Sequence, residues 1–322
     1  MRAFDRLDGA PIPPPGAHGG DAEVLAEALG LEPRQILDLS ATLNPLAPDV
    51  GLLVQGVAEA ARRYPEPSRA TAALAEAIGV DKRRLLLTNG GAEAIALVAG
   101  ELGQAEIVEP EFSLWRRHLT GARPVPGLPG GGRVRSNPNN PTGELASDDE
   151  IAMVWDEAFY PLSTGRWTRG DSERGAIVVG SLTKLFACPG LRLGYVIAPE
   201  PNVTERLAAR QPMWSVNALA LGVLPQLLES ARLEAWASDL GELRRSLASI
   251  FQGYGLSVVA AAAPWILVRQ GAWLRAALGR RGVLIRDCAS FGLVDTVRIA
   301  VPGPSGLARL AETLDRAMEA RP

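Results

Sequence analysis

The sequence SLTKLFACPGLRLG, residues 181–194, decides how the rest of the chain is interpreted. It follows an apolar run at residues 176–179 and places Lys184 in a loop rich in serine, threonine, glycine and proline. A lone lysine in a loop is usually a solvated surface residue. A lysine that acts as a nucleophile must lose its proton, which requires partial burial and a nearby cation. Arg192, eight residues further on, could supply that cation and could also bind a phosphate group through two hydrogen bonds.

Short apolar runs that end in polar or small residues recur along the chain on both sides of this stretch. They lie, together with the residues that end them, at residues 84–91, 105–110, 133–138, 151–156, 176–181 and 193–197. The strands of an open parallel sheet deliver the polar residues at their C-terminal ends to one edge. The pattern therefore predicts an α/β protein with a mostly parallel sheet flanked by helices and a functional site at that edge.

Three further strand ends carry candidate site residues. Asp156 ends one run, where an aspartate is usually a helix cap or turn residue. Asn140 lies in NPNNPTG, a sequence of turn formers. Gly91 and Ala92 lie in NGGAEA, which opens an apolar helix. Glycines at a strand-to-helix turn allow backbone N–H groups and the helix N-terminus to hold a phosphate, so these segments are candidates for one common site.

Together these motifs resemble the fold-type I pyridoxal-phosphate superfamily, which includes the aminotransferases of classes I and II. The stretch around Lys184 is similar to the lysine motif of that superfamily, S-x-x-K-x-x-x-x-P-G-x-R-x-G, and the resemblance spans nearly the whole chain. It implies a large cofactor-binding domain with a smaller α+β domain, and pyridoxal 5′-phosphate as the cofactor. It also implies two catalytic residues: Lys184, which holds the cofactor as a Schiff base and transfers protons, and Asp156, which pairs with the pyridine nitrogen.

The resemblance implies the remaining cofactor contacts as well. Asn140 faces the phenolic oxygen, and Phe159 stands where transaminases usually carry a tyrosine directed toward that oxygen. The residues implied for the phosphate are Gly91, Ala92, Ser181 and Arg192. Phe112 could stack on the cofactor ring, although an aromatic side chain there is more often part of the core. Tyr64 looks like the tyrosine that reaches across a dimer interface to the partner's cofactor phosphate, which implies a homodimer.

Within the superfamily, the chain is most similar to the histidinol-phosphate aminotransferase group, and there to the threonine-phosphate decarboxylases of cobalamin biosynthesis. The phrases that carry this likeness are HGGD (18–21), LDLSATLNPL (37–46), MWSVNALA (213–220) and RDCASF (286–291). The resemblance implies that the substrate is a small amino acid or amino phosphate. Arg298 would hold its α-carboxylate, with Arg286, His18 and Asn44 as further substrate contacts. The implied reaction is loss of CO₂ from O-phospho-threonine.

Two other functions stay open. An aminotransferase acting on histidinol phosphate or another amino acid would use the same cofactor contacts, because the two reactions differ only in which bond at the substrate's Cα is aligned for cleavage. A fold member that binds a partner without catalysis is the other alternative. It is motivated by Ala92, Thr42 and Pro302, which depart from the residues that the family usually has at these positions.

Composition and charge exclude several classes of function. The formal net charge is −3 and no block of basic residues stands out, so a nucleic-acid partner is not expected. No run of about 18 apolar residues indicates a membrane span, and the N-terminal residues lack a secretory pattern, so we expect a cytoplasmic enzyme. Cys188 and Cys288 are interpreted as reduced, buried thiols. The two histidines, His18 and His118, do not suggest a metal site.

The length of 322 residues predicts more than one hydrophobic core. We expect an N-terminal arm and helix at residues 1–35 that belong to the small domain, a large domain at 36–235 and the rest of the small domain at 236–322. A long helical pattern at 217–247 should be kinked or broken at Pro225. The connection from Asn140 to the next strand is too short for an ordinary crossover helix, so either that helix is reduced to a turn or the strand limits are displaced.

Overall fold

The computed structural model describes residues 11–16, 18–125 and 127–320; part of the predicted N-terminal arm, residues 1–10 and Ala17, therefore lies outside the described residues. The strands are β1 (Leu37–Leu39), β2 (Leu85–Asn89), β3 (Gln104–Ile107), β4 (Gly121–Ala122), β5 (Arg133–Ser136), β6 (Val154–Asp156), β7 (Ile177–Ser181), β8 (Leu193–Ile197), β9 (Ser257–Val259), β10 (Trp265–Arg269), β11 (Val283–Asp287) and β12 (Thr296–Ala300). The α-helices are α1 (Ala22–Leu29), α2 (Val50–Gly56), α3 (Ser68–Ile78), α4 (Gly90–Leu102), α5 (Ser113–His118), α6 (Tyr160–Thr164), α7 (Leu182–Leu185), α8 (Pro201–Arg210), α9 (Ala218–Glu229), α10 (Leu233–Gly253), α11 (Ala272–Gly279) and α12 (Pro304–Glu319).

The chain divides into two compact units. The large unit comprises Leu46–Asn140 and Glu144–Ser238, and the small unit comprises Met1–Pro45, Pro141–Gly143 and Asp239–Pro322. The boundary predicted at residue 36 differs from this division, because β1 pairs in parallel with β11 and so belongs to the sheet of the small unit.

The large unit is built on a seven-stranded sheet in the order β2-β8-β7-β6-β5-β3-β4. All neighbouring pairs from β7 to β4 are parallel, whereas β8 runs antiparallel to both of its neighbours. Every residue of β7 and β8 is buried, as expected for strands whose two faces are both covered. This arrangement confirms the predicted α/β class with a mostly parallel sheet.

Helix α4 provides much of the core against this sheet. Its buried residues Ala94, Ile95 and Val98 recur at helical spacing and belong to one cluster with Val154, Val179 and other strand residues. Burying one valine or isoleucine side chain in this core stabilises the folded state by roughly 1.5–3 kcal/mol. The helix ends at Gly103, whose backbone N–H donates to the carbonyl of Ala99. This packing fixes the N-terminus of α4 at the edge of the sheet where β2 ends.

The connection between β5 and β6 contains no helix. Residues 137–153 form turns and extended chain, and the next strand is Val154–Asp156, shorter than the apolar run that predicted it. Both explanations of the short connection therefore hold: the crossover helix is absent, and the strand begins later than expected.

The helical pattern predicted at 217–247 is two helices, and the break is not at Pro225. Pro225 lies inside α9, and the interruption falls between α9 and α10. The last carbonyls of α9 are bonded within a tight turn, in which Ser230 N donates to Gln226 O at 3.2 Å and Ser230 Oγ donates to Leu227 O at 2.7 Å.

The small unit contains a five-stranded sheet in the order β1-β11-β12-β10-β9, with antiparallel pairs except for β1 and β11. Helix α1 packs Leu25 and Leu29 against Leu284 of β11. Leu310 and Leu314 of α12 are fully buried. Both cysteines are buried and unbridged, as predicted. Among the described residues, no helix is long and apolar enough for a membrane span.

Candidate active site

The turn between β2 and α4 brings together the residues proposed from sequence for a phosphate. Gly90 has φ +74°, and a Cβ added there would lie 2.4 Å from Nη2 of Arg192. A Cβ on Gly91 would lie 3.5 Å from Cβ of Ser181. The positive φ and the close approach of Arg192 favour glycine at position 90, whereas the contact at Gly91 is an ordinary van der Waals distance. The turn places a guanidinium and a serine beside the N-terminus of a helix of 13 residues. Such a helix end attracts anions.

The loop after β7 supplies the two side chains beside this turn. The Ser181 and Thr183 hydroxyls are 2.8 Å apart, within hydrogen-bond distance. Arg192 adopts a left-handed conformation, with φ +57°, and its Nη1 donates to Pro189 O at 3.0 Å. Ala92 is exposed in the first turn of α4, where its side chain offers no hydrogen-bonding group. Any contact of this residue with an anion is therefore through its backbone N–H.

Asp156, at the end of β6, is a buried carboxylate with a relative exposure of 5%. Its Oδ1 accepts from Ala158 N at 3.2 Å, and its Oδ2 accepts from the indole Nε1 of Trp115 at 3.1 Å. Burial raises the pKa of Asp156 to about 6, against the opposing effects of these two hydrogen bonds and of the positive charge of Lys184. The half-buried Lys184, in α7, is thus within electrostatic reach of Asp156.

Asn140 lies in a buried loop that is anchored to the strands around Asp156. Asn137 N donates to Asp156 O at 2.8 Å, and Asn139 Nδ2 donates to Pro110 O at 3.0 Å. Asn140 itself is buried. Phe159, just before α6, is also buried, whereas Phe112 is partly buried and packs against the core cluster of the large unit.

Sequence reasoning missed two buried residues beside Asp156. Trp115 is fully buried and donates to its carboxylate. Glu111 accepts from Phe112 N at 2.6 Å, from Ser136 N at 2.9 Å and from the Ser136 hydroxyl. Burial raises the pKa of Glu111 to about 7, and the charge of Asp156 adds to the shift. The available signal was a carboxylate directly after Pro110, at the end of a predicted strand.

The small unit holds the arginines that were proposed for the substrate. Arg286 and Arg298 face each other in the register of β11 and β12, with relative exposures of 4% and 7%. Their guanidinium carbons lie 5.6 Å and 5.8 Å from the centre of the Phe291 ring. Burial, together with the charge of Arg286, lowers the pKa of Arg298 to about 10. Two cations side by side in a desolvated position favour an anionic ligand.

The other two substrate candidates also lie in the small unit. His18 is exposed and lines a small pocket together with Arg286, Asp21 and Arg275. Arg286 Nη1 donates to Gly16 O at 2.8 Å and its Nη2 donates to Ser290 Oγ at 2.8 Å, so this arginine also anchors the chain next to His18. Asn44 is almost fully buried.

Tyr64 is located differently from the other candidates. Its side chain is 77% exposed, so within one chain it is not part of the buried group around Asp156. Its ring stacks on that of Trp214, with centroids 4.6 Å apart and planes inclined by 31°.

Comparison with known proteins agrees with this geometry. The sequence profile of the family described as aminotransferase class I and II matches residues 134–314, more than half of the chain. The chain is 30% identical to the threonine-phosphate decarboxylase of Salmonella typhimurium, over 92% of this chain and 95% of the relative. It is 27% identical to the histidinol-phosphate aminotransferase of Akkermansia muciniphila, over 92% and 94%. The fold is similar to that of histidinol-phosphate aminotransferase from Sinorhizobium meliloti, solved in complex with pyridoxal-5′-phosphate, with a TM-score of 0.77, 16% identity and coverage of 99% and 98%.

The chain belongs to the class I and II aminotransferase family and is a pyridoxal-phosphate-dependent enzyme. The residues of the large unit fit this cofactor. The glycine turn with Arg192 and Ser181 offers a cradle in which a Cβ would leave no space, as a phosphate site requires. Asp156 is a buried carboxylate whose ionised form would be stabilised by a protonated pyridine nitrogen.

We predict that Asp156 makes the folded, cofactor-free protein less stable as the pH rises from about 4 to about 6. The pKa of Asp156 is raised to about 6 in the folded chain, against about 4 for an unfolded aspartate, so the folded state binds this proton more tightly. Protonated Asp156 therefore stabilises the folded state fully at pH values below the pKa of the unfolded aspartate. This stabilisation is lost as the pH rises through the pKa that Asp156 has in the folded chain. For Asp156→Asn, the free energy of unfolding relative to wild type should therefore increase by on the order of 2 kcal/mol between pH 4 and pH 7, as measured by urea denaturation.

The control is Asp81→Asn. Asp81 is hydrogen-bonded to Arg83, which lowers the pKa of Asp81 to about 2. The stabilisation that ionised Asp81 provides is therefore lost when the pH falls into the acid range, and not when it rises to neutral. This variant should show no increase relative to wild type between pH 4 and pH 7. A difference for Asp156→Asn that stays flat over the same range would contradict the prediction.

Proposed function

We propose that this chain is a pyridoxal-phosphate-dependent decarboxylase of O-phospho-threonine, which releases CO₂ and leaves an aminopropanol phosphate. The observation that carries the proposal is the pair of buried arginines, Arg286 and Arg298, which face each other across two strands. Two adjacent guanidinium groups match a substrate with two anionic groups. Threonine phosphate has a carboxylate and a phosphate, whereas histidinol phosphate has no carboxylate. The likeness to a threonine-phosphate decarboxylase at 30% identity supports the same choice.

In this proposal, Lys184 is the amine that bonds the cofactor's aldehyde. Asp156 holds a proton on the pyridine nitrogen, and Trp115 keeps the carboxylate of Asp156 in position through its indole N–H. The cofactor phosphate is held by the backbone N–H groups of Gly91 and Ala92 and by the side chains of Ser181 and Arg192. Asn140 and Phe159 would serve the phenolic oxygen of the bound cofactor, and Phe112 would pack on its ring.

The substrate's orientation decides which reaction follows. The bound cofactor would supply an electron sink for the electron pair released at the substrate's α-carbon. Only a bond perpendicular to the ring releases its electrons in this way, so the residues that fix the carboxylate and phosphate choose between loss of CO₂ and loss of a proton. Arg298 is assigned to the carboxylate, and Arg286 and His18 are assigned to the phosphate. Asn44 is a further substrate contact, and Lys184 returns a proton to the α-carbon after CO₂ has left.

We expect Lys184→Ala to lose the visible absorption band of the bound cofactor. Borohydride should couple the cofactor permanently to wild-type protein but not to Lys184→Ala. The chain has just two lysines, Lys82 and Lys184, so Lys82→Ala is a matched control. Lys82 is exposed in the turn Lys82–Arg84, and its replacement should leave the spectrum unchanged. A coupled peptide that contains Lys82 would refute the assignment. A wild-type protein that stays colourless after addition of pyridoxal phosphate would favour the non-catalytic alternative.

We expect the wild-type enzyme to release CO₂ from O-phospho-threonine and Arg298→Lys to raise the KM for this substrate by about tenfold or more. Lysine keeps the charge but cannot form the two parallel hydrogen bonds of a guanidinium. Arg269→Lys is the control, because Arg269 is exposed at the end of the neighbouring strand β10. The measurement is CO₂ release at varied substrate concentration.

The contrary outcomes of this assay are specific. A 2-oxo or aldehyde product from histidinol phosphate or another amino acid, without CO₂, would assign the chain to the aminotransferases and refute the decarboxylase. An unchanged KM for Arg298→Lys would remove Arg298 from the carboxylate site while leaving the reaction type as measured.

We also propose a homodimer in which Tyr64 of one chain reaches the cofactor phosphate of the other. Tyr64, Met213 and Trp214 are large apolar side chains of the same unit and are all exposed, with Tyr64 and Trp214 stacked. Exposed clusters of this kind mark interaction surfaces. A tyrosine that is held by an aromatic neighbour and has its hydroxyl in solvent is suited to a contact with a second chain.

We expect mixed dimers of Tyr64→Phe and Lys184→Ala to regain a site with wild-type cofactor affinity. In the mixed dimer, the Lys184→Ala chain supplies an intact Tyr64 to the chain that still has Lys184. Phenylalanine keeps the ring that stacks on Trp214, so only the hydroxyl is removed. The readout is titration of the refolded mixture with pyridoxal phosphate. A mixture with the double variant Tyr64→Phe/Lys184→Ala in place of Lys184→Ala should regain nothing, because neither chain then carries Tyr64. The same absence of recovery in the first mixture would contradict the exchange of Tyr64 between chains.

A further inference from the structure

The segment at residues 211–217, between α8 and α9, is bonded to both sides of the glycine turn. We call it the bridging segment. Gln211 and Ser215 bond to Glu93 in the first turn of α4. Asn217 Nδ2 donates to Leu191 O at 2.8 Å, one residue before Arg192. The bridging segment therefore connects the start of α4 with the loop that carries Arg192.

Glu93 is the centre of the first of these connections. Its Oε2 accepts from the backbone N–H of Asn89 at 2.7 Å and from Gln211 Nε2 at 2.9 Å. Its Oε1 accepts from the hydroxyl of Ser215. Gln211 Nε2 also donates to Leu87 O at 2.9 Å, so the same amide ties the bridging segment to β2. One carboxylate thus fixes the residue before Gly90 and two residues of the bridging segment.

The bond from the backbone N–H of Asn89 to Glu93 restrains the residue that leads into the turn. Gly90 follows Asn89 directly and has φ +74°, a conformation with few other restraints because glycine has no side chain. Holding the N–H of Asn89 removes one of the rotations by which the turn could relax. An anion site made of backbone donors depends on such pre-orientation, because a donor that must be reoriented on binding contributes less to affinity.

We propose that Glu93 is a positioning residue for the cofactor phosphate: it makes no contact with the phosphate but holds the Gly90–Gly91 turn in the phosphate-binding conformation. This inference rests on the assignment of the turn as the phosphate site. The carboxylate of Glu93 is itself negative and so repels a nearby phosphate, which means that its contribution must come from its hydrogen bonds and not from its charge.

Two substitutions separate hydrogen bonding from charge. Glu93→Ala removes all three bonds. Glu93→Gln can keep them, because its amide oxygen can accept from Asn89 N and Gln211 Nε2 while its NH₂ donates to Ser215, whose hydroxyl can also accept. We expect Glu93→Ala to raise the dissociation constant for pyridoxal phosphate about tenfold or more, and Glu93→Gln to restore it to within about threefold of wild type.

Pyridoxal, which lacks the phosphate, makes the test specific to the turn. If Glu93 acts through the phosphate site, Glu93→Ala should weaken the binding of pyridoxal phosphate to cofactor-free protein and leave the binding of pyridoxal unchanged. A general loss of folding would weaken both. Glu101→Ala is the matched control, since Glu101 lies in the last turn of the same helix and bonds Arg206 at 2.6 Å and Arg210 at 3.2 Å. This variant should bind pyridoxal phosphate as wild type does.

Three results would overturn the inference: equal affinity of Glu93→Ala and wild type for pyridoxal phosphate, equal weakening for pyridoxal, or a Glu93→Gln variant as weak as Glu93→Ala. If Glu93→Ala does not fold, the double variant Gln211→Ala/Ser215→Ala removes two of the same bonds and should weaken the affinity for pyridoxal phosphate in the same direction. An unchanged affinity in that variant overturns the inference equally. Failure of the proposed function would give a different result. Wild-type protein would then bind no pyridoxal phosphate, or would bind it without forming a bond to Lys184.

Discussion

The close approach of β8 to the start of α4 is the constraint on which the cofactor site depends. A Cβ on Gly194 would lie 2.4 Å from the carbonyl carbon of Gly90 and 2.6 Å from the nitrogen of Gly91, distances that no side chain can occupy. The antiparallel pairing of β2 with β8, in which Asn89 is opposite Leu193, imposes this approach. Because β8 follows directly on Arg192 and pairs on its other edge with β7, the same contact brings Arg192 and Ser181 to the helix end. A larger residue at 194 would displace all of these groups together.

Each unit buries charged groups of one sign at its candidate site. In the large unit, burial raises the pKa values of Asp156 and Glu111, and in the small unit it lowers those of Arg286 and Arg298. A buried charge is costly unless a partner of opposite sign is present. A protonated pyridine ring would add a positive charge beside Asp156, and an anionic ligand would add a negative charge beside the two arginines.

The sequence predicted the residues that the sheet places at one edge, and it failed where a contact joins distant parts of the chain. Lys184, Asp156 and Arg192 could be proposed because they lie at or beyond the ends of apolar runs. Trp115 could not, since its bond to Asp156 spans 41 positions and an indole at helical spacing has no distinguishing signal. The bonds of Glu93 to the bridging segment span 118 and 122 positions. The boundary at residue 36 was misplaced for the same reason: β1 pairs with β11, near the other end of the chain, and so belongs to the small unit.

The connection between β5 and β6 has no crossover helix, and other contacts hold it in place beside the candidate site. These strands have 4 and 3 residues, so the connection must return over only roughly 10–13 Å, which extended chain can cover easily. A helix would have provided hydrogen-bond donors for the backbone carbonyls of the connection. Arg169 supplies some of these partners, since its Nη2 donates to Ser147 O at 2.7 Å and to Asp148 O at 3.0 Å. Its guanidinium lies 4.6 Å from the centre of the Trp155 ring, and its backbone N–H donates to buried Glu157 at 3.0 Å. One arginine thus fixes the connection to the strand that ends in Asp156, and the loop with Asn140 is anchored beside that carboxylate by the bond from Asn137 N to Asp156 O.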